Sequence, residues 1–204
     1  LIISIVGDID LEEAKLLLDE MFANLPKKGR QTIVKKAQVP SEGKVYVFTK
    51  TVPQSVVLFG HQGVARKNPN FFTAYIINHI LGGGSFTSRL YNSVREQRGL
   101  AYSVSTYLSV RPNAPLIIGQ LSTSNDKVAE TLRVVRSEWQ KMARYGVNKE
   151  TLANSKKFIN GSFALQFSSS NKIANLLTML QYYGLSPSYL REREKYINSV
   201  THYD

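Results

Sequence analysis

Residues 81–104 read LGGGSFTSRLYNSVREQRGLAYSV, and the order of parts in this stretch decides how the surrounding chain is read. Three glycines, Gly82, Gly83 and Gly84, end an apolar helix predicted over 71–81. Ser85, Thr87 and Ser88 follow, and these residue types cap helix starts. Phe86, Leu90 and Val94 recur every four residues, so the spacing predicts a second helix over 86–98, ended by Gly99. Residues 101–110 alternate and are rich in β-formers, which predicts a strand.

Working outward, residues 45–49 and 55–61 read as two strands separated by Val52 and Pro53, with a turn at Asn68-Pro69. On the other side, 116–121 reads as a strand, and Asn113-Ala114-Pro115 places a hairpin before it. The rest is helical. Val128, Leu132, Val135, Trp139 and Met142 repeat at four-three spacing up to Gly146. Leu152, Ile159, Phe163 and Phe167 mark the next helix, and Ile173 to Leu180 another, ended by Gly184. Ser186-Pro187 opens a last helix reaching Ser199. Thr201 and Asp204 have the spacing of one more helix start. Strands grouped first and helices after them predict an α+β fold, an antiparallel sheet with helices on one face.

The amino-terminal part reads separately. Residues 1–6 (LIISIV) predict a strand, and Asp10 with Glu13 a helix cap. Ala14, Leu17, Leu18, Met21 and Phe22 share one face of the helix that follows. Residues 24–40 lose that periodicity and gain Lys, Gly and Pro, which is linker composition.

With 204 residues, 43% of them apolar, the chain is long enough to bury one sizeable core or two small ones. No apolar run reaches the ~20 residues of a membrane-spanning helix. The absence of cysteine rules out disulfides and thiol chemistry. The formal charge of +11 is dispersed. Its two small clusters, Lys27, Lys28, Arg30, Lys35, Lys36 and Arg191, Arg193, Lys195, read as solvated surface. No RRM-type or helix-turn-helix pattern organises the basic and aromatic residues for nucleic acid.

Three histidines, His61, His79 and His202, are too few and too scattered for a catalytic zinc site, and no HxxEH is present. No G-x-S-x-G supplies a nucleophile. The glycines follow a helix and lack G-x-x-x-x-G-K-[ST], so they are not a phosphate loop but a connector that lets backbones approach closely.

Arg95 and Tyr102 are the remaining candidates. A helix end and a strand start joined by one tight turn can aim both at one spot. Arg offers forked donors to carbonyl oxygens and Tyr a hydroxyl, so together they can hold a peptide backbone or stabilise an oxyanion. A blander alternative stays open. By strand parity Tyr102 shares a face with Val104 and Leu108, as a half-buried core tyrosine would, and Arg95 can pair with a surface carboxylate.

The long motif, with VREQRGLAYSV at its end, resembles the second half-domain of pitrilysin-type (M16) zinc metallopeptidases, in particular their bacterial and processing-peptidase-like branch. The resemblance implies two similar α+β halves enclosing a chamber. The first carries an inverted HxxEH zinc motif; the second carries a glycine-rich segment, then an Arg and a Tyr seven residues apart. Arg95 and Tyr102 have that spacing. The resemblance assigns them to contacts with the substrate backbone and oxyanion, and Gly82, Gly83, Gly84 and Ser85 to the wall of the cleft. It places the zinc in the other half, so that no cofactor is expected on this chain and the chain alone is expected to be inactive. It makes 1–26 the closing strand–helix of the preceding half, 27–43 a linker, and 44–204 the second half-domain, cut short at its C-terminus. The partners it implies are a peptide or protein substrate and a zinc-bearing half-domain or subunit, with a homodimer as a further arrangement and neither nucleic acid nor membrane. A non-catalytic scaffold subunit of a similar assembly is the alternative. The bacterial cytoplasm or periplasm is the expected location. Residues 1–6 are expected to fill the sheet edge left by a missing closing strand, in this molecule or in a neighbour.

Overall fold

A computed structural model of the chain describes residues 1–26, 28–29, 32–40 and 42–204. Of the first basic cluster, Lys27 and Arg30 fall outside them. The described chain divides into two compact units, one of residues 1–35 and 159–193, the other of 36–158 and 194–204.

The larger unit carries the candidate site. Its sheet has three antiparallel strands, β1 (Gln54–Gln62), β2 (Ala101–Arg111) and β3 (Ala114–Ser124), in the order β1-β3-β2. β2 and β3 are joined by a tight turn at Pro112 and Asn113, and Arg111 faces Ala114 across it. That is the hairpin read from the sequence, closed by two residues. The alternation of each strand puts Val57, Phe59, Val104, Thr106, Leu121 and Thr123 on one face. Val104, Leu121 and both threonines on that face are buried. Helix α3 (Val128–Tyr145) covers it. Thr131, Val135 and Met142 are buried along one side of the helix, and the Trp139 ring meets Phe59 and His61 edge-on at 5.9 and 5.5 Å. Helix α2 (Phe71–Asn78) adds Phe71 and Ile76. The architecture is α+β, with the helices against one side of an antiparallel sheet.

The boundary signals work as their chemistry requires. Asp10 caps α1 (Leu11–Phe22), its carboxylate accepting the Glu13 N–H at 2.8 Å. Ser169 does the same for Lys172 at the start of α5 (Ser170–Tyr183), and Gly184 ends that helix in the left-handed region. Gly146 closes α3 with φ +62°. The helix marked by Leu152 and Ile159 is α4 (Lys149–Ser162), extended by a 3-10 turn to Phe167, and the last helix is α6 (Tyr189–Ser199). Thr201 and Asp204, read as a helix start, close a turn with no helix among the described residues there. The Asp204 carboxylate accepts from both the N–H and the hydroxyl of Thr201, and these bonds hold its pKa below the ordinary aspartate value.

Three expectations fail. Residues 1–6 form no strand, so they fill no sheet edge within this molecule. Leu1, Ile2, Ile3 and Ile5 are exposed, and the segment is tied instead to α5, where the Gln181 amide donates to the Ile3 carbonyl and the Ser4 hydroxyl. Residues 45–49 form no strand either; Val45, Tyr46, Val47 and Phe48 are all largely exposed. Both runs have strand composition, but a strand exists only where another offers its ladder, and composition says nothing about the partner. The third concerns Arg193, read as solvated surface: it is buried, its guanidinium donating to the Ile159 carbonyl at 3.3 Å and lying over the Phe163 ring at 4.2 Å. The apolar face of α1 is covered only in part. Only Ala14, Leu18 and Phe22 of the predicted apolar face are half-buried, at strict four-residue spacing, while Leu17 and Met21 face solvent.

Candidate functional site

The glycine-rich stretch is built from two widened turns. After α2 the backbone loosens into a π-helical turn, His79–Gly83, and a second one runs over Tyr91–Glu96. Single π turns inside helices are uncommon and concentrate at functional sites. Between them the chain makes one 3-10 turn, Ser85–Thr87, and turns extended at Ser88 with ψ 152°. The helix predicted over 86–98 therefore starts only after Ser88.

Ser88 is its cap. The side chain is fully buried, its hydroxyl donating to the Ser85 carbonyl at 2.9 Å and accepting the Tyr91 N–H at 3.3 Å. The glycines allow close approach. A β-carbon on Gly82 would lie 2.6 Å from Thr106 Oγ1, 2.8 Å from its Cγ2 and 3.0 Å from its backbone nitrogen. One on Gly84 would lie 2.8 Å from the His79 carbonyl. The π turn thus rests directly on β2, and no larger residue fits at 82 without displacing the strand. Gly82 and Gly84 are buried and face protein; Gly83 and Ser85 are exposed. Ser85 is the one non-glycine with positive φ, +50°, among the described residues. Of the four residues assigned to the cleft wall, then, two reach solvent and two set the spacing behind them.

Beside this seat, Asn78 and Thr106 bury polar groups. The Asn78 amide donates to the Thr106 carbonyl at 3.4 Å, while Asn78 Oδ1 and Thr106 Oγ1 have no partner. His79 stacks on Phe158 at 5.1 Å, and burial pushes its pKa below the usual histidine value.

The second π turn carries Arg95. It ends at Gly99 with φ +56°, where the Gly99 and Leu100 N–H groups return to the Arg95 and Val94 carbonyls. Cations gather at this C-terminal end, as its dipole favours. Arg98 donates to the Ser93 carbonyl at 2.7 Å and Lys127 to the Gly99 carbonyl at 3.3 Å.

Tyr102 is placed by a β-bulge. Ala101 pairs with Thr123 and Ser103 with Ser122, so Tyr102 is an extra residue with no partner across the ladder. The bulge resets the parity of the strand. Ala101 and Val104, three apart, both enter the core, while Tyr102 turns out and is 76% exposed. Plain alternation would have put it beside Val104. The Arg95 guanidinium carbon lies 5.0 Å from the centre of the Tyr102 ring, and Arg95 has no ion pair among the described residues. The two residues singled out from the sequence are thus side by side, and neither blander alternative, a core tyrosine or a carboxylate-paired arginine, describes them.

One residue of this group was not singled out. Tyr91 places its ring 5.1 Å from the Arg95 guanidinium, and Phe86 meets that ring edge-on at 5.0 Å. Partial desolvation, then the neighbouring Glu96, raises the Tyr91 pKa above the ordinary tyrosine value. The signal was available in the sequence, because Tyr91 and Arg95 are four apart on one helix and so are neighbours.

Metal ligands do not converge here. Among the described residues no group of three His, Cys, Asp or Glu is arranged to hold a metal ion. His61 packs on Trp139 with Nδ1 against the Gln62 carbonyl, His79 stacks on Phe158, and His202 lies on Tyr203. The described residues do not fit a zinc site. No helix is long and apolar enough to cross a membrane among the described residues.

Comparison with known proteins bears on the fold and the family. Among solved structures, the peptidase M16 inactive domain from Pseudomonas fluorescens superposes with a TM-score of 0.80 at 24% identity, over 97% of this chain and 46% of that one. A protease from Helicobacter pylori superposes with a TM-score of 0.81 at 16% identity, over 97% and 48%. In sequence, the uncharacterized zinc protease YmxG of Bacillus subtilis is 27% identical over 170 residues, 83% of this chain and 41% of that protein. An uncharacterized zinc protease of Streptomyces coelicolor is 29% identical over 150 residues, 74% and 31%. The chain therefore spans less than half the length of either relative. A sequence model described as the peptidase M16 inactive domain matches residues 1–158, well over half of the chain, and on that match the chain belongs to the peptidase M16 family.

Proposed function

We propose that this chain is the substrate-holding half of a zinc metalloendopeptidase. The observation that carries the reading is the pairing of the half-buried Arg95, without a carboxylate partner among the described residues, with the exposed Tyr102, on a turn and a bulge that position them. The names of the relatives, zinc proteases, support the reaction class. The described residues form no zinc site, and on this reading metal and hydrolytic chemistry belong to the other half, with residues 1–26 closing that half. Residues 44–204 supply the facing wall.

On this wall the Arg95 guanidinium donates to carbonyl oxygens of an extended peptide, and the Tyr102 hydroxyl donates to the oxygen that gains charge as the peptide bond is attacked. The exposed Gly83 and Ser85 contribute open backbone beside them; Gly82 and Gly84 hold that backbone down on β2. Stabilisation of this kind accelerates a reaction because the donor is in place before the charge develops.

The test uses the full-length protein that contains this chain. Losing one such donor typically costs ~2.7–4 kcal/mol of transition-state stabilisation, or roughly 10²–10³ in kcat. Tyr102→Phe is expected to lower peptide turnover by about that factor with zinc content unchanged. Wild-type turnover in the variant would overturn the assignment.

A further inference from the structure

We propose that Tyr91 is a positioning residue for Arg95: with Tyr102 it holds the guanidinium between two aromatic rings, so that its N–H edge is presented outward to a peptide backbone. This deepens the reading of Arg95 and Tyr102 given above and rests on it.

The geometry has two parts. The guanidinium carbon lies 5.1 Å from one ring centre and 5.0 Å from the other, within the ~6 Å over which a ring face attracts a cation. An arginine with no ion pair and no clamp samples many rotamers, and each binding event has to order it. Two rings remove most of that freedom beforehand and leave the charge of the guanidinium uncompensated, which a carboxylate partner would not. The second part is that Tyr91 is itself held. Its N–H is bonded to the buried Ser88 hydroxyl, and Phe86 braces its ring from the side at 84°. Ser88 in turn is bonded to Ser85 at the end of the glycine stretch. A continuous chain of contacts runs from the glycine seat through Ser88 and Tyr91 to Arg95. This gives the glycine stretch a second task, since a shift of the seat on β2 reaches the guanidinium through Tyr91.

The experiment is a double-mutant cycle in the full-length, zinc-loaded protein, read with an internally quenched peptide that the wild type cleaves. Tyr91→Phe keeps the ring and is expected to stay within twofold of wild type in kcat/KM. Tyr91→Leu removes the ring and is expected to lose roughly two- to fivefold or more, the span of an exposed cation–π contact. Tyr91→Trp is expected to recover most of that loss, which separates ring loss from a general folding defect. The decisive arm is the Arg95→Ala background. There Tyr91→Leu should have no further effect, because the residue acts through Arg95. Wild-type kinetics in Tyr91→Leu, or a loss that multiplies with that of Arg95→Ala, overturns the proposal. Full turnover in both Arg95→Ala and Tyr102→Phe overturns it too, and that pattern shows the failure to lie in the substrate-holding reading.

Discussion

Replacing Gly82 with alanine tests the claim that the glycine stretch is a seat on β2. The added β-carbon would meet Thr106 at Oγ1 (2.6 Å), Cγ2 (2.8 Å) and the backbone nitrogen (3.0 Å). Rotating Thr106 about χ1 exchanges one of its two branches for hydrogen and leaves the other in place, so the side chain alone cannot clear the contact. Overpacking of this kind costs ~1–3 kcal/mol. Alanine also stiffens the unfolded chain, which offsets about 0.4–1 kcal/mol. A net loss of ~1–2 kcal/mol is expected, read by urea denaturation of the full-length protein as a lower midpoint at unchanged slope. Thr106→Ala removes both offending atoms, and the hydroxyl it deletes is buried without a partner, so that single change sacrifices no hydrogen bond. Combined with Gly82→Ala it should recover most of the loss, giving a coupling energy of about 1 kcal/mol. If Gly82→Ala is as stable as wild type, or the two changes add to within about 0.3–0.5 kcal/mol, the seat does not exist as described.

Two further outcomes follow from the same region. Ser88→Ala removes a buried cap bonded on both sides and should cost ~0.5–2 kcal/mol in thermal or chemical denaturation, an effect that Ser88→Thr should largely spare. His79 predicts a pH dependence. Burial lowers its folded pKa below the free value of 6.5, so near that pH the unfolded chain binds more protons than the folded one. Stability is therefore fully present above pH 6.5 and falls as pH drops through it, until the folded pKa is reached. His79→Phe, which keeps a ring against Phe158, should flatten that part of the stability–pH curve. An unchanged curve would remove His79 as its source.

Much of the fold was legible because its signals are local. Gly99, Gly146 and Gly184 end their helices with positive φ, and Asp10 starts its helix with a side-chain bond to the backbone. A local signal needs no knowledge of what packs against it. The failures are all non-local. Residues 1–6 and 45–49 have strand composition and no ladder partner. The π turns are also invisible, because widening a helix by one residue depends on what lies beneath it, here Thr106 on β2. For the site, the seven-residue spacing of Arg95 and Tyr102 was readable, but not the face on which Tyr102 emerges. Period-two parity gives the wrong side, since one unpaired residue inverts it from that point back.

That unpaired residue makes the site separable from the sheet. With Ala101 opposite Thr123 and Ser103 opposite Ser122, deleting Tyr102 would close the ladder into unbroken alternation. Val104, Thr106, Leu121 and Thr123 would keep their places in the core. The outward tyrosine is thus an insertion that the scaffold tolerates, and no core contact depends on it. In β2 the paired residues hold the fold, and the outward tyrosine is the single residue with no partner across the ladder.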